Sequence, residues 1–307
     1  MRIGSSLAEP AGPDALSKLA DQIRAASDDG FASAWISNIF GLEALTSLAV
    51  AGSVVPGIEL GTAVVPTYPR HPAVLAQQAL TTDLALGGRL ALGIGLSHQI
   101  VIEDMYGYSF DKPARHMREY LAVLVPLLAG EPVSFDGETV HAHIGLSVPR
   151  SRPTPPPLLL AALAPQMLKL AGTTADGTVL WMTGPNTVRD YIVPTITAAA
   201  SAADRPSPRV VCVLPVCVTD DPEQARVNAG KAFAIYGQLP SYRAMLDREG
   251  AAGPGDVAVV GDEDSVGEQI QALADAGVTD FIAGEYARGD DGPRTRTFLR
   301  RLIGELA

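Results

Sequence analysis

The 307-residue sequence is poor in cysteine, in positive charge and in long apolar runs. Two cysteines, Cys212 and Cys217, cannot build a disulfide framework, and five positions apart on an expected strand they face opposite ways. That usage fits a reducing, cytoplasmic compartment. Lys and Arg number 23 against 34 Asp and Glu, a net charge of −11. With no basic cluster to neutralise phosphates, no nucleic-acid partner is expected. No stretch approaches the roughly 20 apolar residues of a membrane helix. The longest, Pro155 to Leu163, reads as a buried strand after a Pro-rich loop, so no membrane partner is expected either. Met1 to Leu7 is too short and too polar for a signal peptide. A Gly-x-Gly-x-x-Gly after the first strand is also missing, which disfavours a Rossmann dinucleotide site.

What the chain does contain is an apolar fraction of 47%, the composition of a compact domain. Strand and helix patterns alternate from end to end. Strands are expected at Arg2–Leu7, Phe31–Ser37, Ile58–Val65, Leu90–Gly95, Leu158–Ala162, Gly177–Met182, Arg209–Val218 and Thr279–Ala283, with helical stretches between them. An irregular segment up to Pro157 carries hairpin signals around Asp136-Gly137. Gly30, Gly177 and Gly277 each stand where a helix ends and a strand begins, as left-handed backbone would require. Eight such units in one domain, 1–307, predict an α/β fold: a (β/α)8 TIM-type barrel. Its insertion segments, Ser97–Pro113 and Gly130–Pro157, are expected at the C-terminal mouth.

Chemistry in such a barrel belongs at the C-terminal strand ends. Those ends lack paired carboxylates, a Schiff-base lysine or a converging metal set. They offer small, apolar and hydroxyl groups, which suits a bound cofactor that carries the reaction. His141-x-His143 is a weak metal candidate without a third ligand, and no metal is expected. Ser97 and His98 follow Leu92-Gly93-Ile94-Gly95, where glycines permit close backbone approach and a helix start presents N–H groups to a phosphate. Arg115, His116 and Arg118 read as a solvated helix face. Trp35 and Trp181 read as barrel core, or as flanks of a ring system.

Several stretches, in order along nearly the whole chain, resemble the luciferase-like monooxygenase superfamily, and within it the deazaflavin-dependent oxidoreductases. They are Leu60-Gly61-Thr62-Ala63-Val64-Val65-Pro66, His71-Pro72 with Gln77-Gln78, Gly87-Gly88-Arg89-Leu90 with Leu92-Gly93-Ile94-Gly95, and Arg118-Glu119-Tyr120. Leu127-Leu128 with Gly130-Glu131, Phe135 with Gly137, Ala175-Asp176-Gly177 with Leu180-Trp181, and Ala276-Gly277-Val278-Thr279-Asp280 continue the match. The resemblance implies a flavin-like ring in the barrel mouth, with coenzyme F420 as the cofactor and FMN as the alternative. It implies a non-prolyl cis peptide at Ala63-Val64 against the ring. It implies cofactor contacts around Ser97-His98 and from Ala162 through Leu163 to Ala164, with polar groups near Asn38 and Thr67. The sugar-phosphate dehydrogenase branch differs: its Asp-His pair, Glu and Gly-Gly are replaced here by Asn38-Ile39, His98 and Leu163-Ala164.

The resulting expectation is hydride transfer between deazaflavin and a small organic substrate, with His98 moving a proton and Asn38 as polar support. An FMN-dependent monooxygenase using O2 and a non-catalytic cofactor-binding barrel are the alternatives. A cofactor-free barrel aldolase or isomerase would need the lysine or paired acids that the strand ends lack. Relatives of this type imply a homodimer.

Overall fold

The computed structural model describes residues 1–287 and 289–306. Its strands are β1 (Arg2–Ser6), β2 (Ser33–Ile36), β3 (Glu59–Thr62), β4 (Val65–Pro66), β5 (Leu90–Gly95), β6 (Val133–Asp136), β7 (His141–Ile144), β8 (Leu158–Ala161), β9 (Gly177–Trp181), β10 (Arg209–Val218), β11 (Val259–Gly261) and β12 (Asp280–Glu285). Eight of them pair in parallel in the order β1-β2-β3-β5-β8-β9-β10-β12, and β12 pairs back to β1. The sheet is therefore a closed (β/α)8 barrel, as expected. β4 adds to the edge of β5, and β11 pairs only with the upper end of β10. β11 was not anticipated: three residues are too few for a periodic signal.

Helix starts follow local chemistry. Glu43 accepts from the amides of Leu45 and Thr46 ahead of helix Ala44–Ser53. Asp262 accepts from Ser265 N ahead of helix Glu263–Asp275. Pro72 and Pro222 open their helices, where the missing N–H costs nothing. Gly30 and Gly277 are left-handed at helix-to-strand turns. Gly177 is different. It is already the extended first residue of β9, and glycine is needed because an added Cβ would lie 2.0 Å from the Arg209 carbonyl oxygen.

Alternation along the strands sends one set of side chains to the helices and the other into the lumen. The floor is ionic: Arg209 Nη2 lies 2.9 Å from both Glu59 Oε1 and Asp280 Oδ1. Burial alone would raise the Asp280 pKa, but hydrogen bonds and charge from Arg209 outweigh it and hold the carboxyl low. Above the floor, Trp35, Ala91, Leu159, Val179, Val211, Val213 and Ile282 form a dry plug, with Ala63, Val64 and Trp181 on its upper side. Trp35 fits only because Gly61 lacks a Cβ, which would stand 2.2 Å from the ring. The hairpin β6–β7 leans on helix Pro113–Ala129, where Glu119 accepts from Thr139 N and Oγ1 at 2.7 Å. His71 Nε2 meets His141 O at 3.0 Å. The insertion 97–112 follows β5 directly and includes a π-helical turn at Val101–Met105, while the hairpin reaches the mouth-side starts of helices Pro72–Ala85 and Pro113–Ala129 through His141 and Glu138. Among the described residues no helix is long and apolar enough to cross a membrane.

Candidate active site at the barrel mouth

Half-buried residues ring the C-terminal strand ends: Ser6 closing β1, Ser37 and Asn38 after β2, Ala63 and Val64 after β3, Ser97 and His98 after β5, and Trp181 closing β9. The Ala63–Val64 peptide is cis and separates β3 from β4. Around it the packing is tight. Thr62 Oγ1 donates to Gly93 O at 2.8 Å and accepts from Gly93 N at 2.9 Å, replacing the interrupted ladder with one hydroxyl. An added Cβ on Gly93 would meet Thr62 O at 2.0 Å, and one on Gly95 would meet Val64 Cγ2 at 2.7 Å. The two glycines leave the volume that the Val64 side chain occupies.

The expected site residues have unequal access to this space. Ser97 adopts a left-handed backbone (φ 62°) that turns the chain out of β5. His98 is half-buried, its ring 5.6 Å from that of Tyr242, and burial lowers its pKa. Its carbonyl accepts from the amides of Val101 and Ile102. Asn38 Oδ1 is occupied, accepting from Ala44 N at 3.0 Å, so only its amide NH2 is left for a ligand. Thr67 is fully buried, and its Oγ1 pairs with His116 Nε2 at 3.1 Å. Ala162 is buried, Leu163 half-buried and Ala164 exposed. Ala164 precedes helix Pro165–Thr174, which starts with no side-chain cap, so its first amides are free to meet an anion.

His116 is the principal difference from the sequence reading of a solvated face. It is buried, stacked at 4.0 Å on Tyr68, and desolvation brings its pKa down to about 4. Tyr68 in turn stacks on Phe110 of the insertion. Helical spacing alone does not show this, because the burying surface comes from the segment after β4. Arg115 pairs with Glu138 of the hairpin. His141 and His143 share Asp136 Oδ1 at 3.4 and 3.1 Å on the exposed hairpin. Among the described residues no group of three His, Cys, Asp or Glu is placed to hold a metal. Glu285, at the end of β12, is neutralised by Arg296 at 2.6 Å.

The luciferase-like monooxygenase family model matches residues 1–280, most of the chain. The chain belongs to that family. Among its relatives in sequence, 5,10-methylenetetrahydromethanopterin reductase of Methanopyrus kandleri is 27% identical, covering 88% of this chain and 89% of the relative. The solved structure of the coenzyme F420-dependent tetrahydromethanopterin reductase of that organism superposes with a TM-score of 0.82 at 23% identity, over 98% of this chain and 97% of the other. The oxygenating constituent of 3,6-diketocamphane monooxygenase from Pseudomonas putida, in complex with FMN, gives 0.77 at 19% identity, over 100% of this chain and 98% of that one. At these identities the two structural likenesses speak for a shared fold.

The mouth of this luciferase-like chain suits a flat heteroaromatic cofactor on its own features. Ala63, Val64, Gly95 and Ala161 give it a floor of small groups. The helix that opens at Pro165 has no side-chain cap, so the amides of Gln166 and Met167 can meet a phosphate.

Proposed function

We propose that the chain is a coenzyme F420-dependent oxidoreductase that moves a hydride between the deazaflavin and a small organic substrate. The observation that carries this reading is the mouth itself. Among the described residues it is a floor of Ala, Val and Gly with no paired acids, no lysine and one half-buried histidine, which suits orienting a cofactor rather than covalent catalysis. Bound deazaflavin would supply hydride chemistry, since a carbon replaces the ring nitrogen that makes reduced flavins reactive toward oxygen. Val64 and Ala63 would support one face of the ring, leaving the other to the substrate. Amides at Ser97-His98 and at the start of helix Pro165–Thr174 would hold the phosphate and tail. His98, whose pKa burial lowers, would exchange a proton with the substrate oxygen, and Asn38 would support the site through its amide NH2, its Oδ1 being occupied. Thr67 acts from behind the wall, through His116.

The reading is tested by titrating cofactor-free protein with F420 and, separately, with FMN, following fluorescence quenching. Micromolar or tighter F420 binding with FMN far weaker is expected. Preference for FMN would move the protein to the oxygen-using side of the family, and binding of neither would remove the physical basis of the reading.

The protein is expected to act as a homodimer, and a second copy is the partner that fits one outer surface. Helix Ala44–Ser53 contains no charged residue, and in helix Pro72–Ala85 the sole charge, Asp83, is buried. The two helices are tied by Gln78 Nε2 to Glu43 at 2.9 Å and Thr82 Oγ1 to Leu45 O at 3.3 Å. They expose Val50 (49%), Val54 (61%) and Val74 (56%). These exposed valines, beside a Glu43 already paired with Arg70, give a patch of low charge on a chain of net charge −11, which suits self-association. Light scattering is expected to give a dimer for the wild type and a monomer for Val50→Glu/Val74→Glu. A monomeric wild type, or a variant that stays dimeric, would overturn the assignment.

A further inference from the structure

Aromatic residues make up only 6% of the chain, yet five of them form one continuous wall at the mouth. Trp181 packs edge-on against Phe233 at 5.4 Å (83°) and against Tyr236 at 5.6 Å (77°). Tyr236 meets Tyr242 at 5.2 Å (90°), and Tyr242 leads to His98 at 5.6 Å. Tyr286 closes the other end at 6.2 Å from Phe233. These rings come from β9, from segment 233–237, from helix Pro240–Glu249 and from the chain after β12, and all are partly exposed. Edge-to-face packing fixes each ring through its neighbours. Such a wall is rigid and apolar before any ligand arrives.

Two features define what it takes. Trp181 Nε1–H is buried without an acceptor, whereas the other indole, Trp35, donates to Ser33 Oγ at 2.8 Å. A buried donor left unpaired is costly, so an acceptor supplied by a ligand is favoured. Among the described residues no arginine stacks on these rings: the stacked ones lie over Tyr191, Phe31 and Phe298, and Arg226 stands near Tyr286 as a charge only. Glu285, the residue before Tyr286, is already paired with Arg296.

We propose that this wall is the substrate subsite, taking a neutral, flat or bulky apolar molecule with a carbonyl oxygen, and that Trp181 Nε1–H donates to that oxygen. The inference rests on the oxidoreductase reading of the mouth and specifies its substrate class. β9 lies three strands round the barrel from β3, so a molecule on Trp181 faces a ring supported by Val64 rather than competing with it.

Calorimetric binding of methyl naphthyl ketone and of ethylnaphthalene, with and without F420, tests the subsite. Trp181→Phe keeps the ring and removes the N–H. It is expected to bind the ketone about fivefold to tenfold more weakly, with the hydrocarbon unchanged. Tyr236→Ala is expected to weaken both about tenfold. Unchanged thermal unfolding of Trp181→Phe separates a lost hydrogen bond from a lost fold. Equal ketone affinity in wild type and Trp181→Phe would overturn the proposal, as would tighter binding of glucose 6-phosphate than of the ketone. If Trp181→Phe loses F420 instead of ketone affinity, the donor serves the cofactor and the proposal fails. Ketone binding with this mutational pattern but without F420 binding would leave the subsite standing and sink the cofactor reading. F420 binding without ketone binding would do the reverse.

Discussion

His98→Ala is expected to turn over about 100- to 1,000-fold more slowly than wild type while binding F420 within about twofold of it. Among the described residues the imidazole is the half-buried histidine at the strand ends, while Glu285 is held by Arg296 and Asp280 is locked in the floor. Burial depresses its pKa below the ordinary 6.5. The sign then depends on direction. In alcohol oxidation the neutral ring accepts a proton, so the rate rises with pH up to a pKa below 6.5 and is flat above it. In ketone reduction the protonated ring is the donor, and the rate falls as pH rises through that same pKa. His98→Gln keeps a polar group but cannot titrate, so it should lose this pH dependence. F420 absorbance recorded across pH 5 to 8 with a naphthyl ketone or its alcohol reads all of this out. Wild-type turnover in His98→Ala would end the assignment.

Gly93→Ala is expected to destabilise the protein by about 3 kcal/mol or more, enough to deplete soluble protein. The new Cβ would meet the Thr62 carbonyl oxygen at 2.0 Å, and backbone cannot rotate away as a side chain can. Separation of the strands would also break both Thr62 hydroxyl bonds to Gly93. Gly95→Ala is the informative control. Its obstacles are the side chains of Val64 at 2.7 Å and Ala161 at 3.1 Å, which yield more easily. It should fold with a smaller loss and push Val64 toward the ring position, weakening F420. Chemical denaturation of both variants decides the matter. If Gly93→Ala is as stable as wild type, the close approach at β3–β5 is not needed.

The barrel was legible because each of its eight parallel strands is a short apolar run followed by a helical stripe, and that alternation is local information. Glycine positions were legible as turns, but their reasons divided. Gly30 and Gly277 are needed for backbone angle, which neighbouring residues reveal. Gly177 and Gly93 are needed for closeness to Arg209 and Thr62, which are remote in sequence. The same division runs through the mouth. The position of Ser97 and His98 just past β5 was legible from the strand that precedes them, and the cis bond at Ala63–Val64 through resemblance to a family. His116 looked solvent-facing because a helix's own pattern says nothing of the loop laid over it. The wall of Trp181, Phe233, Tyr236, Tyr242 and Tyr286 joins residues up to 105 positions apart (286 − 181). Sequence alone determined the architecture and the end of the barrel where chemistry belongs, because both follow from near-neighbour periodicity. Only the tertiary structure decided which side chains are open, which are already paired, and which donor still lacks an acceptor, because burial and pairing are set by segments distant along the chain.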